Sequence, residues 1–434
     1  MTLMSLRLAV VVAFAVLAWP AAAPRFDRVL ALKPAEGVFA YARISPNGRF
    51  LAYASEMPGP NGRGITQTVT VVDLDTKRVV FTEPGIDAYW SNDGTRIIYL
   101  SRGGGRRSSV AIRHHDTGAI ARNVAPVDLG DYFSWSVDSG RDLIMTIQSN
   151  FYYLDGDAAV MPSGRVTSCR GIGVGERPLI SKDGHRITTF VGGSVVVRGR
   201  TDCANVFDTG LPGGKADFSF DGRYIAFHVP KAGMNAYDVV VVDTAKRTIR
   251  NLTSSLAGSS LFPSWTEDGR INFRYDGADY RGFITVTDVL STPEQPLPAA
   301  AARTAAPVTW ASLFPSAPPP SHETSLVLVW SSWSAHTPEA LTELQRARDE
   351  LAAAGLDVGV VTTPEISSQR ADLDRLRRQH AITLPELAGT PAGLASAEAL
   401  NQSPTTLLFK DGRLVDRKLG AQTADALRQW VRTF

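Results

Sequence analysis

The sequence predicts a multidomain protein in which an all-β, six-bladed propeller is followed by a smaller α/β domain. A phrase of the type Ser-x-Asp-Gly-Arg, followed by an apolar run, occurs six times, and a proline-rich seam and a change of pattern come after it. Consecutive copies start 46, 45, 45, 38 and 47 residues apart, a period typical of radial repeats built from strands and turns. The copies begin at Ser45, Ser91, Ser136, Ser181, Ser219 and Thr266.

Each repeat has the pattern of a four-stranded antiparallel blade. In the second copy, Asp93-Gly94 supplies a turn, and Ile97 to Leu100 is an apolar run expected for a strand covered on both faces. We interpret the Asp-Gly pairs as hairpin turns rather than calcium ligands, because carboxylates on separate turns do not form a cage. Aromatic residues just before the turns are expected to pack blade against blade: Trp90, Trp135, Phe218 and Trp265.

The repeats resemble those of the TolB family. The similarity is greatest where Tyr237 to Asp243 is followed by Arg250-Asn-Leu-Thr253, and it covers roughly Ala42 to Val289. The resemblance implies a six-bladed propeller, which we assign to residues 24–290. It implies little about function, because such propellers serve as docking rings, peptidase lids and enzyme scaffolds. To close the ring, we expect Arg28 to Leu32 to pair beside Phe283 to Thr287 and so cover an exposed edge.

The first 23 residues have the pattern of a signal peptide. Arg7 precedes an apolar run from Leu8 to Leu17, which is too short to span a bilayer comfortably, and three alanines end at Ala23. A membrane anchor is the alternative. We expect a periplasmic or secreted protein with no stable membrane span after signal removal. Export favours a disulfide between Cys169 and Cys203, although two unpaired thiols remain an alternative.

Residues 291–323 are assigned to a linker rich in proline and alanine. Proline at this density is expected to prevent regular sheet or helix and to give a semi-rigid tether. Residues 324–434 then alternate strand and helix, which predicts helices packed on a small sheet. The expected elements are strands at 325–329 and 356–362, helices at 337–353 and 369–380, a hairpin of strands 405–409 and 414–418, and a closing helix at 423–434.

The stretch from Val329 to Pro338 resembles the active-site segment of the thioredoxin fold, closest to the exported TlpA-like branch. In that family a strand ends in Trp-Ala-Thr-Trp and leads into Cys-x-x-Cys at a helix start, and Ser403-Pro404-Thr405 is similar to the family's cis-proline loop. The positions that the resemblance implies for the active site are Trp333, Ser334, Ala335, His336, Thr337 and Pro404.

Serine and threonine stand where the resemblance places the two cysteines. Thiol–disulfide exchange needs a thiolate and a resolving sulfur, and neither Ser334 nor Thr337 supplies one. We therefore expect a redox-inactive domain. Ser334 is expected to cap the helix; a hydrolytic pair of Ser334 and His336 is the alternative, which lacks an orienting third group.

These observations predict an exported, non-enzymatic interaction or scaffold protein that uses both domains to bind a protein or peptide. A formal charge of +2 gives no reason to expect nucleic acid, and no pattern for a cofactor, metal or hydrolase site is found. Two alternatives remain: a periplasmic relative of the thioredoxin-family oxidoreductases with altered chemistry, and a ligand sensor that uses the propeller funnel.

Overall fold

The computed structural model describes residues 24–32, 37–38, 42–58, 65–102, 108–122, 133–146, 151–160, 179–191, 194–231, 234, 236–298, 307–332, 334, 336–363, 367–390, 393–394, 397 and 404–434. The predicted signal peptide, residues 1–23, lies outside them. The described chain is mostly β. Antiparallel sheets occupy residues 24–298, here called the N-terminal sheets, and a mixed sheet with helices occupies residues 307–434, here called the C-terminal unit.

The strands of the N-terminal sheets follow the predicted repeats, which we number one to six in chain order. Those up to the third repeat are β1 (Arg25–Ala31), β2 (Gly37–Val38), β3 (Arg43–Ile44), β4 (Phe50–Pro58), β5 (Ile65–Asp73), β6 (Arg78–Trp90), β7 (Arg96–Arg102), β8 (Ser108–His114), β9 (Ile120–Arg122), β10 (Phe133–Asp138), β11 (Arg141–Thr146), β12 (Phe151–Asp155) and β13 (Ala158–Val160). Those of the last three are β14 (Arg186–Val191), β15 (Ser194–Gly199), β16 (Asn205–Pro212), β17 (Gly214–Phe218), β18 (Tyr224–Pro230), β19 (Tyr237–Asp243), β20 (Thr248–Asn251), β21 (Ser259–Trp265), β22 (Ile271–Asp276), β23 (Arg281–Thr287) and, after a 3-10 turn at Val289–Ser291, β24 (Gln295–Pro296).

The repeats differ in how their sheets are completed. The third forms a four-stranded sheet, β10-β11-β12-β13, and the fourth a three-stranded one, β14-β15-β16. The first two share one sheet because β6 runs from the last strand of one repeat into the first strand of the next. The sixth has the order β1-β23-β22-β21, so the expected pairing of the N-terminal segment beside β23 is confirmed, with Arg28 opposite Ile284.

The repeat turns share one hydrogen-bond pattern. In the fifth repeat, Ser219 Oγ donates to Asp221 Oδ1 at 2.5 Å and accepts from the Tyr224 N–H at 2.9 Å. Gly222 follows with a φ of +68°, which glycine adopts without strain. The same serine or threonine bonds recur in the second, fourth and sixth copies, and in the first copy Asn47 takes the place of the aspartate. The aspartates of these copies therefore hold turns, as the sequence predicts.

Each repeat contacts the next along the chain, and the sixth contacts the first. The four recurring aromatic residues are all buried between these sheets. The contacts in chain order are Trp90 Nε1 to the Arg43 carbonyl (3.0 Å), Arg96 with Asp142, the Ile180 N–H to Ser134 Oγ (3.0 Å), Arg186 over the Phe218 ring (5.8 Å), the Trp265 N–H to Asp217 Oδ2 (2.9 Å), and the Glu267 N–H to the Pro46 carbonyl (2.9 Å).

The proline-rich stretch is more ordered than the sequence predicts. Gln295–Pro296 forms β24 beside β20, and a short helix, α1 (Trp310–Leu313), packs with Phe314 against the C-terminal sheet. The expectation that this stretch contains no regular structure is wrong at these two places. A proline at a sheet edge needs no N–H partner, and Thr309 caps α1 by accepting from the Ser312 N–H.

The C-terminal unit has one five-stranded sheet with the order β27-β26-β25-β28-β29. Strand β25 is parallel to β26 and antiparallel to β28, so it lies at the centre. The predicted elements agree with the structure to within a few residues: β25 (Thr324–Trp330), α2 (Thr337–Ala353), β26 (Leu356–Thr362), α3 (Ser367–Gln379), β28 (Thr405–Lys410), β29 (Arg413–Leu419) and α4 (Ala424–Val431). The short edge strand β27 (Glu386–Leu387) was not predicted. No helix in the described part of the chain is long and apolar enough to cross a membrane.

Candidate functional site

The candidate site is the segment between the end of β25 and the start of α2. Ser334, His336 and Thr337 are all 0% exposed. Pro404 precedes β28, and because Val329 pairs with Thr405 in an antiparallel register, the proline lies beside the end of β25. The structure therefore brings these predicted positions together. The other two, Trp333 and Ala335, lie outside the described residues.

The start of α2 differs from the expectation. The helix begins at Thr337, so His336 takes the N-cap position and makes no capping hydrogen bond with its side chain. Ser334 contributes its carbonyl, which accepts from the Thr337 N–H at 3.1 Å, while its buried hydroxyl has no hydrogen-bond partner among the described residues. The prediction that Ser334 caps the helix is wrong, because the serine lies two residues before the N-cap.

His336 forms a hydrogen bond that crosses from the C-terminal unit to the N-terminal sheets. Its Nε2 lies 3.0 Å from Asp87 Oδ2, and the two side chains are 0% and 1% exposed. Asp87 is the third group that the sequence did not reveal. It does not complete a Ser-His-Asp relay, because Ser334 Oγ makes no hydrogen bond to His336.

Asp87 occupies a repeated bulge. It interrupts the register of β6 against β7 and has a φ of +57°, a left-handed conformation that aspartate tolerates better than most residues. Lys215 and Phe262 have the same sign of φ at the matching position, four residues before the turn Ser or Thr. This place in the repeat is the one signal that could have singled out Asp87.

A second group of charged residues joins several repeats of the N-terminal sheets. Asp217 Oδ2 lies 3.9 Å from Arg43 and its Oδ1 lies 3.8 Å from Lys182, and the Tyr89 hydroxyl is 3.4 Å from the same carboxylate. These four residues come from four different repeats, and we call them the central cluster. Burial lowers the pKa of Lys182, but the negative charge of Asp217 and the contact with Tyr89 outweigh it, so the pKa is raised. Burial also raises the pKa of Tyr89.

Another polar contact joins the two regions. Arg281, at the start of β23, forms an ion pair with Asp372 of α3 and a second one with Asp276 at 3.1 Å. Burial lowers the pKa of Arg281, but the two carboxylates outweigh it and raise the pKa above its ordinary value. Apolar burial continues across the same boundary, because one cluster of buried side chains includes members of both regions, such as Phe262 and Leu373.

The described residues add two facts about the remaining predicted sites. Cys203 is disulfide-bonded, and Cys169, the only other cysteine of the chain, lies outside the described residues. No group of three or more His, Cys, Asp or Glu side chains that could hold a metal ion occurs in the described part of the chain.

Comparisons with known proteins return structural neighbours only. No family model matches the chain, and no curated protein matches it. TolB from Acinetobacter baumannii is 19% identical, with a TM-score of 0.40, over 56% of this chain and 64% of that chain. The β-propeller domain of the Trilobed protease from Pyrococcus furiosus is 12% identical, with a TM-score of 0.38, over 59% and 83%. A thioredoxin-family thiol:disulfide interchange protein from Chlorobium tepidum is 13% identical, with a TM-score of 0.23, over 26% and 79%.

The chain is thus similar both to TolB and other propeller proteins and to thioredoxin-like proteins, over part of its length in each case. The alignment with TolB spans less than two thirds of that protein. Because these identities are below 20% and the TM-scores are below 0.5, the likenesses say nothing about activity.

Proposed function

We propose that this chain is an exported, non-enzymatic interaction protein, in which a six-bladed TolB-like propeller carries a TlpA-like thioredoxin domain without its dithiol. Its partner is a protein or a peptide. One observation carries the proposal: Ser334 and Thr337, which take the places of the two cysteines, are completely buried beside Pro404. A site without sulfur and without access to solvent is unsuited to disulfide exchange.

The contacts among the repeats support six blades in a ring. Each sheet contacts its neighbours, and the sixth contacts the first through the Glu267 N–H and the Pro46 carbonyl. In addition, Tyr89 of the second repeat meets Asp217 of the fifth. Repeats that are three apart can touch in this way when the sheets converge on a common axis.

Two alternatives find less support. A hydrolase needs a nucleophile in contact with its base, and the Ser334 hydroxyl makes no bond to His336. A sensor needs a concave, mostly apolar site, whereas the central cluster places paired charges where four of the repeats meet. Export is supported by the pattern of residues 1–23 and by the disulfide at Cys203, since disulfides persist in oxidising compartments.

Insulin reduction in the presence of dithiothreitol tests the non-enzymatic part of the proposal. We expect the full-length chain to give the rate of the buffer alone, and the Ser334→Ala variant to do the same. Turnover by the native chain that the Ser334→Ala substitution abolishes would contradict the proposal and favour an oxidoreductase with altered chemistry.

Affinity capture from the exported fraction tests the binding part. Full-length chain is used as bait, with a heat-unfolded sample of the same chain as the control. We expect a protein that is retained by the folded bait and not by the unfolded one. We also expect the same retention with and without a reductant, because the proposed binding does not use thiol chemistry. If no protein is retained and thermal-shift screens show that a metabolite stabilises the chain, the result contradicts the binding proposal and favours the ligand sensor.

A further inference from the structure

The contact between the N-terminal sheets and the C-terminal unit covers the segment from which thioredoxin-like chemistry would be expected. His336 stands directly before α2 and is 0% exposed, and its polar partner, Asp87, belongs to β6. The residue before α2 is therefore hydrogen-bonded to Asp87, which lies 249 positions earlier in the chain.

We propose that the His336–Asp87 and Arg281–Asp372 contacts form a latch that holds the C-terminal unit closed on the N-terminal sheets, so that the start of α2 becomes accessible only when both contacts are released. The occupant of this surface is therefore the chain's own N-terminal region. This goes beyond the proposed binding function, because it holds whether or not a partner exists.

The chemistry of the two contacts suits a latch. The His336–Asp87 pair is buried and the Arg281–Asp372 pair is largely buried, with side chains 16% and 10% exposed. A buried pair contributes little net stability when intact but is costly to leave half-paired. Release is therefore unfavourable unless both members of each pair reach water together, which requires the two regions to separate. Asp276 gives Arg281 a second carboxylate, so the arginine keeps a partner when Asp372 departs. That arrangement allows separation without leaving a buried charge alone.

Charged neighbours surround the Arg281–Asp372 contact on both sides of the boundary. Arg274 contacts Asp276 at 2.8 Å, and Arg375 lies 3.6 Å from Asp372 on the same helix. The latch is thus part of a wider charged boundary, and single substitutions within it are expected to shift the closed–open balance rather than to abolish closure.

Hydrogen exchange on the full-length chain tests the latch. The disrupting variant combines Asp87→Gly, which keeps the positive φ without strain but removes the carboxylate, with Asp372→Ala. Matched controls are Asp87→Asn, which also tolerates that backbone and retains a hydrogen-bonding side chain, and Asp374→Ala, an exposed aspartate on the same helix. We expect exchange in the first turns of α2 to quicken about tenfold or more in the double variant and little in the controls.

Exchange in the β18–β19 hairpin serves as the internal reference and is expected to stay unchanged. Unchanged exchange at the start of α2 in a folded double variant would overturn the proposal. If the double variant loses protection everywhere, the single variants decide. Faster exchange at α2 in Asp372→Ala than in Asp374→Ala supports the latch, because both substitutions lie on α3 and the first removes the carboxylate that pairs with Arg281. Equal exchange in the two variants contradicts it.

Discussion

A buried serine hydroxyl is hydrogen-bonded in the repeat turns but not in the segment before α2. Ser219 uses its hydroxyl twice within five residues, as donor and as acceptor. Ser334 is equally hidden from solvent, yet its hydroxyl has no partner among the described residues. The turns are thus self-sufficient local structures, whereas the segment before α2 depends on a distant sheet, through His336 and Asp87. Features made by neighbouring residues define this fold, and features made by distant residues define its candidate site.

The largest loss of stability is expected at the central cluster, where residues distant in sequence make the contacts. Asp217→Ala leaves Arg43 and Lys182 buried without their counter-charge, and removing one partner of a buried pair costs about 3–5 kcal/mol of unfolding free energy. Urea denaturation measures this loss. Asp75→Ala, at an aspartate whose side chain is 73% exposed, is the control and should change stability little. A loss no greater than the control's would show that the cluster is not buried as described.

The local side of the comparison is tested at a turn. Ser219→Ala removes the hydroxyl that donates to Asp221 and accepts from the Tyr224 N–H, and the loss of that acceptor is expected to cost about 1–3 kcal/mol. Chemical denaturation of the purified chain provides the value. The same substitution at Ser45 should cost a similar amount, because Ser45 makes the corresponding bonds, with Asn47 in place of the aspartate. Unequal costs would mean that the turns are not equivalent.

Acid is expected to weaken the sheets through a second kind of local contact. Burial raises the pKa of Asp243, but the hydrogen bonds from Arg223 and from the Lys246 and Ala245 N–H groups outweigh it, so the pKa lies below its ordinary value. The stability that this carboxylate contributes is therefore complete above the ordinary aspartate pKa and is lost as the pH falls through the lowered one. In thermal unfolding between pH 6 and pH 2.5, Asp243→Asn should flatten the acid side of the profile. An unchanged slope would refute this assignment.

The smallest effect, and the one of opposite sign, is expected at Ser334. Ser334→Ala removes a buried hydroxyl without a hydrogen bond, so stability should be unchanged or should rise by up to about 1 kcal/mol. Thermal unfolding of the variant beside Ser219→Ala gives a direct comparison of the same substitution in two settings. A loss comparable to that at Ser219 would reveal a hydrogen bond at Ser334 and would remove the contrast between the two regions.

Local patterns explain why much of the fold could be predicted. The bounds of α2 and β26 agree with the apolar spacing, and the turn chemistry agrees with the repeated phrase, because both arise from residues close in sequence. The pairing of β1 with β23 could also be anticipated, since a closed ring needs a cover for its last edge.

The order in the proline-rich stretch could not be predicted, because it depends on contacts with residues that are distant in sequence. Its prolines disfavour sheet and helix only where an N–H is needed, and β24 and α1 form where tertiary contacts supply partners. The contact between Asp87 and His336 could not be predicted because the two residues are 249 positions apart, and the place of Asp87 in the repeat marks its backbone but not its partner. The candidate site was therefore only half predictable: its residues could be located, but neither their burial nor their partner could.

The measurement that tests the account most directly is the alkylation rate of a cysteine placed at Ser334 in the full-length chain. Cys203 is disulfide-bonded, so a maleimide should report mainly on the new thiol. The matched control is Ala352→Cys, on the exposed side of the last turn of α2. Burial of the site predicts labelling at least about 100-fold slower at position 334 than at position 352, equivalent to an opening free energy of about 3 kcal/mol. Comparable rates at the two positions would contradict the burial of this site, on which the proposed function rests.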